Sequence, residues 1–189
     1  MEIYAFYFRM NQIVFAIIFS VFSIGARLMD HTPNFVPIGA LAIWAGMYLP
    51  KRVGIILPLA VMFISDSIIG FYDWRVMLSV YGSFVLMVAI GRFLRSHKGP
   101  AIVMSSLLGS VFFYFTTNFA VWASGTMYTH DWAGLMNCFY MALPFFRNTL
   151  YSDLIYGVAF VGLYESAYYY VSSKKPAAVP IEQGKPISG

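Results

Sequence analysis

The chain has 189 residues, of which 60% are hydrophobic, 19% aromatic and only 11% charged. Soluble domains carry about 25% charged residues, so this composition excludes a soluble globular domain and implies a single integral membrane domain. A net charge of +4 on bases scattered through short loops is no nucleic-acid footprint, and the lone Cys138 excludes an internal disulfide or a cysteine-based zinc cluster.

The first apolar run is Met10–Leu28. Its core, Asn11–Gly25, ends in small residues as a secretory signal does. A signal needs a basic leader, however, and Arg9 is offset by Glu2, so the run reads as the first span. The second, Val36–Leu49, is bounded by Pro37 and Pro50. A hydrocarbon core of ~30 Å needs about 20 helical residues at ~1.5 Å each, so this run is too short to cross as one straight helix. The preceding segment, residues 31–37, holds two prolines and an asparagine and resists helix formation. It has to help reach the surface, and non-helical backbone at membrane depth requires protein or a wet cavity around it.

The third, fourth and fifth spans are Arg52–Phe71, Arg75–Leu94 and Pro100–Ser124. In the connection that follows, Asp131–Leu143 sets Trp132, Leu135, Met136, Phe139 and Tyr140 on one helical face, with Asp131 as its cap. Too short to span, this helix is expected to lie in the interface or fold over the bundle. The sixth span is Arg147–Val171, and the tail from Ser172 lacks periodicity and is expected to be disordered. The expected fold is thus an all-α bundle of six transmembrane helices over residues 1–171, with a short interfacial helix between spans five and six. Helix-packing stripes supply close approach: Gly39, Ala42 and Gly46 in span two, Ser106, Gly109, Ser110, Phe113 and Thr117 in span five, and a weaker Ala16-xxx-Ser20 in span one.

Six spans place Arg9, Lys51, Arg52, Arg92, Arg95, Lys98, Lys174, Lys175 and Lys185 on one side, against Arg27, Arg75 and Arg147 on the other. The positive-inside rule then puts both termini in the cytoplasm. Asp66 stands about 21 Å above Arg52 and Asn118 about 27 Å above Pro100, while Asp153 lies about 9 Å below Arg147, at ~1.5 Å per residue. Arg27, Asp30, His31 and Asn34 end the first span and open its loop. Polar residues therefore gather in the outer half of the bilayer, and only Glu165 lies in the inner half. A charged side chain in a span costs at least ~2.5–3.5 kcal/mol and marks either an internal ion pair or a ligand pocket. The leaflet asymmetry favours an outward pocket with aromatic walls, where Phe35 and Trp122 each adjoin a polar motif. No HExxH, GxSxG or P-loop occurs, so neither an enzyme nor a self-powered ATPase is indicated, and no cofactor or metal site is expected.

Four motifs carry a family resemblance: Arg27-x-x-Asp30-His31-x-Pro33-Asn34-Phe35-x-Pro37; Ser65-Asp66-x-x-x-Gly70; Thr117-Asn118-Phe119-Ala120-Val121-Trp122; and Ala142-Leu143-Pro144-Phe145-Phe146-Arg147-Asn148-Thr149-Leu150-x-x-Asp153. Across about residues 26–165 they resemble an uncharacterised family of predicted bacterial membrane transport proteins, similar to the substrate-binding S components of energy-coupling-factor (ECF) transporters. The resemblance implies a six-helix subunit of the bacterial cytoplasmic membrane that captures a vitamin-like or metal-containing solute near its outer face. It also implies partnership with a coupling subunit and ATPases. Ala16-xxx-Ser20 departs from the usual Ala-xxx-Ala docking signature of such components. The expected substrate-binding residues are Arg27, Asp30, His31, Asn34, Phe35, Asp66, Asn118, Trp122, Arg147, Asn148 and Asp153. The alternative is a non-transporting structural or assembly protein whose polar groups are internal glue, and a minor third reading makes Asp66 and Asp153 a carboxylate dyad. Cys138 is expected to be a small buried hydrophobe rather than a ligand.

Overall fold

The computed structural model describes residues 2–30, 32–97 and 99–173, which hold helices and connections and, among these described residues, no strand. In order they form α1 Glu2–Leu28, α2 Ile38–Tyr48, α3 Lys51–Ile69, α4 Trp74–Leu94, α5 Gly99–Ser124 and α6 Trp132–Ser173, with a 3-10 turn at Arg95–His97. Four of these, α1 from Met10, α3, α4 and α5 from Pro100, contain segments long and apolar enough to cross a membrane, as in a multi-pass membrane protein. Ile13, Ile17, Ile56, Phe93 and Phe115 are each more than half exposed, an outward apolar surface that water would disfavour and lipid would not.

The second predicted span is the centre of the bundle. Every residue from Ile38 to Met47 is buried, and α1, α3, α4, α5 and α6 all pack on it. Its sequence has no polar face, which is the pattern of a core helix. Glycine permits the close crossing of α2 with α4. A Cβ on Gly46 would strike the Val88 backbone, and one on Gly91 the Ile43 carbonyl. An aromatic seam fastens α1: Phe19 stacks on Phe160 at 4.0 Å and meets Trp44 edge-on at 5.0 Å.

The expected interfacial helix and sixth span are one helix, the 42-residue α6, running through Pro144. Two features explain the continuity. Proline within a membrane helix is tolerated where neighbouring helices hold the loosened backbone, and here the Tyr114 hydroxyl of α5 donates to the Phe139 carbonyl at 2.6 Å, beside the Tyr140 carbonyl that Pro144 leaves without its helical N–H. The second feature corrects the expected apolar face. Trp132, Met136 and Tyr140 are exposed, while Gly134, Cys138 and Ala142 turn inward. Small side chains let α6 approach its neighbours, so size rather than hydropathy selects the buried face. Asp131 does cap the helix, accepting the Gly134 N–H at 2.7 Å.

The bundle has two distinct ends. The connections at 29–37, 70–73 and 125–131 share the loop end. The other, basic end carries Lys51, Arg52, Arg92 and Arg95 around the end of α2. The expected disordered tail beyond Ser173 lies outside the described residues.

Candidate functional site

At the loop end, α6 organises the chain. Asn148 Nδ2 donates to the Pro33 carbonyl at 3.0 Å, and one turn later the Ser152 hydroxyl donates to the Val36 carbonyl at 2.7 Å. These bonds hold the α1–α2 connection against α6. Within it, Asn34 adopts φ 63°, a left-handed conformation that asparagine enters more readily than most residues. The Phe35 N–H closes the turn on the Thr32 carbonyl at 2.9 Å.

Asp153 follows Ser152 and is buried at the start of α2. Gly39 leaves room for its carboxylate, the Ala40 N–H donates to it, and the Ser110 hydroxyl from α5 donates to Oδ2 at 2.8 Å. Pro37 gives α2 no side-chain cap. Unpaired N–H groups and the helix dipole favour an anion there, so Asp153 caps α2 from another helix. The opposite end of α2 is matched in charge, because Arg92 Nη2 donates to the Leu49 carbonyl at 2.5 Å and Gln12 Nε2 to the Tyr48 carbonyl at 2.6 Å.

Above Asp153 a cleft of ≈ 230 Å³ opens between Asn34 and helices α4, α5 and α6. Phe113, Tyr114, Phe145 and Phe146 form its aromatic walls, and Thr117, Asn118 and Thr149 contribute hydroxyl and amide groups. A second cavity of ≈ 50 Å³ shares Asn34, Phe113 and Thr149 with it and reaches Gly39, Met87 and Asp153. Asn118 donates one N–H to the Tyr114 carbonyl at 2.8 Å, which leaves its amide further donor and acceptor capacity.

Of the sequence-predicted site residues, Asn34 and Asn118 line the cleft, and Asp153 lines the smaller cavity that shares Asn34 with it. Arg27 and Asp66 meet each other instead, Nη2 to Oδ1 at 2.6 Å. Arg27 Nη1 also donates to the Ser65 hydroxyl at 2.5 Å, and the Tyr81 hydroxyl donates to Asp66 Oδ2 at 2.8 Å. The two carboxylates Asp66 and Asp153 thus have separate partners, and none of the contacts joins them as a dyad. Arg147 is exposed beside the Tyr151 ring, 6.0 Å from its centroid, because one residue along a helix rotates about 100° and its neighbour Asn148 takes the inward position. Trp122 Nε1 donates to the Thr129 carbonyl at 2.9 Å and pins the α5–α6 connection rather than lining the cleft. Phe35 packs on Tyr156 at 5.7 Å, Asp30 is exposed, and His31 lies outside the described residues. Cys138 is buried with its thiol toward the Asn118 carbonyl at 3.4 Å. Among the described residues, no group of three or more metal-ligating side chains occurs.

Thr149 and Tyr114 were not singled out as site residues from the sequence. Each stands four residues before a chosen polar residue, Asp153 and Asn118, and so shares its helical face; that spacing was the available signal. Tyr81 and Arg92 carry no such mark.

Residues 8–177 match a family of unknown function (DUF6580). The chain belongs to this family. The matched region includes the cleft, both buried carboxylates and the whole of α2. No curated protein and no solved structure matches the chain.

Proposed function

We propose that this DUF6580 protein is a solute-uptake membrane protein of the ECF S-component type, which captures a small vitamin-like molecule in the loop-end cleft. The observation that supports it is the cleft itself: aromatic walls, a rim of Asn34, Thr117, Asn118 and Thr149, and a buried carboxylate below. Ligand sites pair apolar walls with a few placed polar groups in about 300–1,000 Å³, so a cleft of ≈ 230 Å³ suits a small solute and not a cobalamin. In this reading the basic end faces the cytoplasm with both termini, as the positive-inside rule implies, the cleft opens outward in a bacterial cytoplasmic membrane, and a coupling subunit with ATPases supplies energy.

Thermal stabilisation of the purified protein, screened across vitamins and their precursors, tests the reading, with native mass spectrometry for a co-purifying molecule. The hit should lose about tenfold in affinity, ~1.4 kcal/mol, on Asn118→Leu or Thr149→Val, and keep it on Arg147→Ala or Cys138→Ser. Equal binding by all four variants sinks the site.

A structural or assembly role is the second reading. Its support is that Arg27, Asp66, Asn148, Ser152 and Asp153 all have internal partners. It predicts that the Asn118 and Thr149 variants change stability alone, with no solute in the screen stabilising the wild type.

A further inference from the structure

A groove of ≈ 970 Å³ runs between α1 and α3 on the side of the bundle. Its walls are Ile13, Ile17 and Val21 of α1 and Val53 and Leu57 of α3, and the Ala16-xxx-Ser20 pair lies between them, so a lipid here and a coupling subunit docked on that pair would exclude each other. The first three recur every four residues on one helical face and are about 60% exposed, at 61%, 59% and 65%. From Gln12 to Ile24 the groove is about 18 Å long at ~1.5 Å per residue, close to the ~15 Å that half of a ~30 Å hydrocarbon core provides. It therefore matches one leaflet in length.

At the basic end the groove stops at Arg92 and Arg95. Arg92 directs Nη2 to the Leu49 carbonyl, but its Nε is buried without a hydrogen-bond partner. Arg95 is exposed, and Lys51 and Arg52 open α3 at the same end. Among the described residues, no acidic one lines the groove. Glu165 lines the neighbouring cavity that Arg95 also borders, and it accepts the Tyr48 hydroxyl at 2.7 Å.

We propose that this groove is a binding site for one anionic phospholipid, with an acyl chain along the α1–α3 trough and the phosphate on Arg95 and the Arg92 guanidinium, both of which line its basic end. A guanidinium presents paired N–H donors that fit a phosphate. A zwitterionic lipid would fill the apolar walls but leave the basic end uncompensated, and so would an apolar protein helix.

The test uses the full chain, delipidated in a non-ionic detergent and titrated by native mass spectrometry with phosphatidylglycerol and phosphatidylcholine of identical chains. One phosphatidylglycerol should be retained about thirtyfold more tightly, as two basic contacts predict. Arg95→Gln, an exposed change that leaves the Arg92 cap of α2 intact, should erase most of that preference. Ile17→Trp, which fills the trough, should weaken both lipids. Soluble glycerol phosphate should not compete, which separates a lipid site from a phosphate site. Equal retention of the two lipids, or an undiminished preference in Arg95→Gln, overturns the proposal. So does a photo-crosslinker at Ile17 that, in native membranes, labels a polypeptide and no phospholipid.

Discussion

Asp66 and Asp153 are each 1% exposed, yet they answer different charges. Asp66 faces a full positive charge in Arg27, and Asp153 faces the N–H groups at the start of α2. Removing one partner of a buried ion pair leaves the other unpaired at a cost of ~3–5 kcal/mol. Arg27 keeps some solvent access, at 16%, so Asp66→Asn should lower the unfolding free energy by about 3 kcal/mol, the low end of that range. Replacing both partners, Arg27→Met with Asp66→Leu, should recover most of the loss in denaturant titrations in micelles; a double variant no better than the single would contradict a simple ion pair. Asp153→Ala should cost about 1–2 kcal/mol, the scale of a lost cap. Gly39→Ala, which drives a Cβ into the Asp153 carboxylate, should be the more damaging where Asp153 is present. A double-mutant cycle measures that coupling, and strict additivity would count against the contact.

For single elements, α6 makes the clearest case. Its first turn depends on Asp131, whose carboxyl is held below the ordinary carboxylate range, chiefly by the Gly134 N–H and then by the Thr129 hydroxyl. A carboxylate with a depressed folded pKa contributes stability above its unfolded value, about 3.9, and loses it as pH falls through the folded value. Protection of the amides at residues 133–138, each measured against its intrinsic exchange rate at the same pH, should therefore fall in wild type as pH drops through that folded value. In Asp131→Asn the dependence should vanish, and an unchanged pH profile in the variant would remove Asp131 as its source. Just before Pro144, the Tyr114 bond to Phe139 ties α6 to α5. Tyr114→Phe should cost only about 0.6 kcal/mol, the average for hydrogen bonds between membrane helices, but it also alters the cleft wall.

The whole bundle is assembled around α2, a helix of 11 residues with an ionisable side chain from another helix at each end, Asp153 at the first and Arg92 at the last. The arrangement follows its dipole and satisfies backbone groups that neither water nor α2 itself supplies. Close approach of α4 makes Gly91→Ala costly, by about 1–3 kcal/mol, the usual scale of overpacking. Gly82→Ala on the same helix meets nothing within 4 Å and should be neutral or stabilising by up to about 1 kcal/mol, since alanine restricts the unfolded chain. Thermal unfolding of the pair decides the matter: similar effects at the two positions would mean that the α2–α4 crossing is looser than these contacts require.

For α2, α3 and α5, hydropathy and proline alone determined where the helix begins and ends, whereas Pro144 did not end α6. Val36–Leu49, Arg52–Phe71 and Pro100–Ser124 anticipate α2, α3 and α5 to within about two residues, because burial of unpaired backbone in lipid leaves a helix no alternative. The short, all-apolar second run already carried the pattern of a buried helix. What faces inward was decided by the tertiary structure. Inside and outside are both apolar in a bilayer, so Trp132 and Met136 looked like a packing face when Gly134 and Cys138 form it. The same holds for polar partners. Arg27, Asp66 and Asp153 were visible as costly residues in one half of the membrane. Only the crossing of helices far apart in sequence joined Arg27 to Asp66 and set Asp153 under α2, since charge determines that a partner must exist and packing determines which one it is.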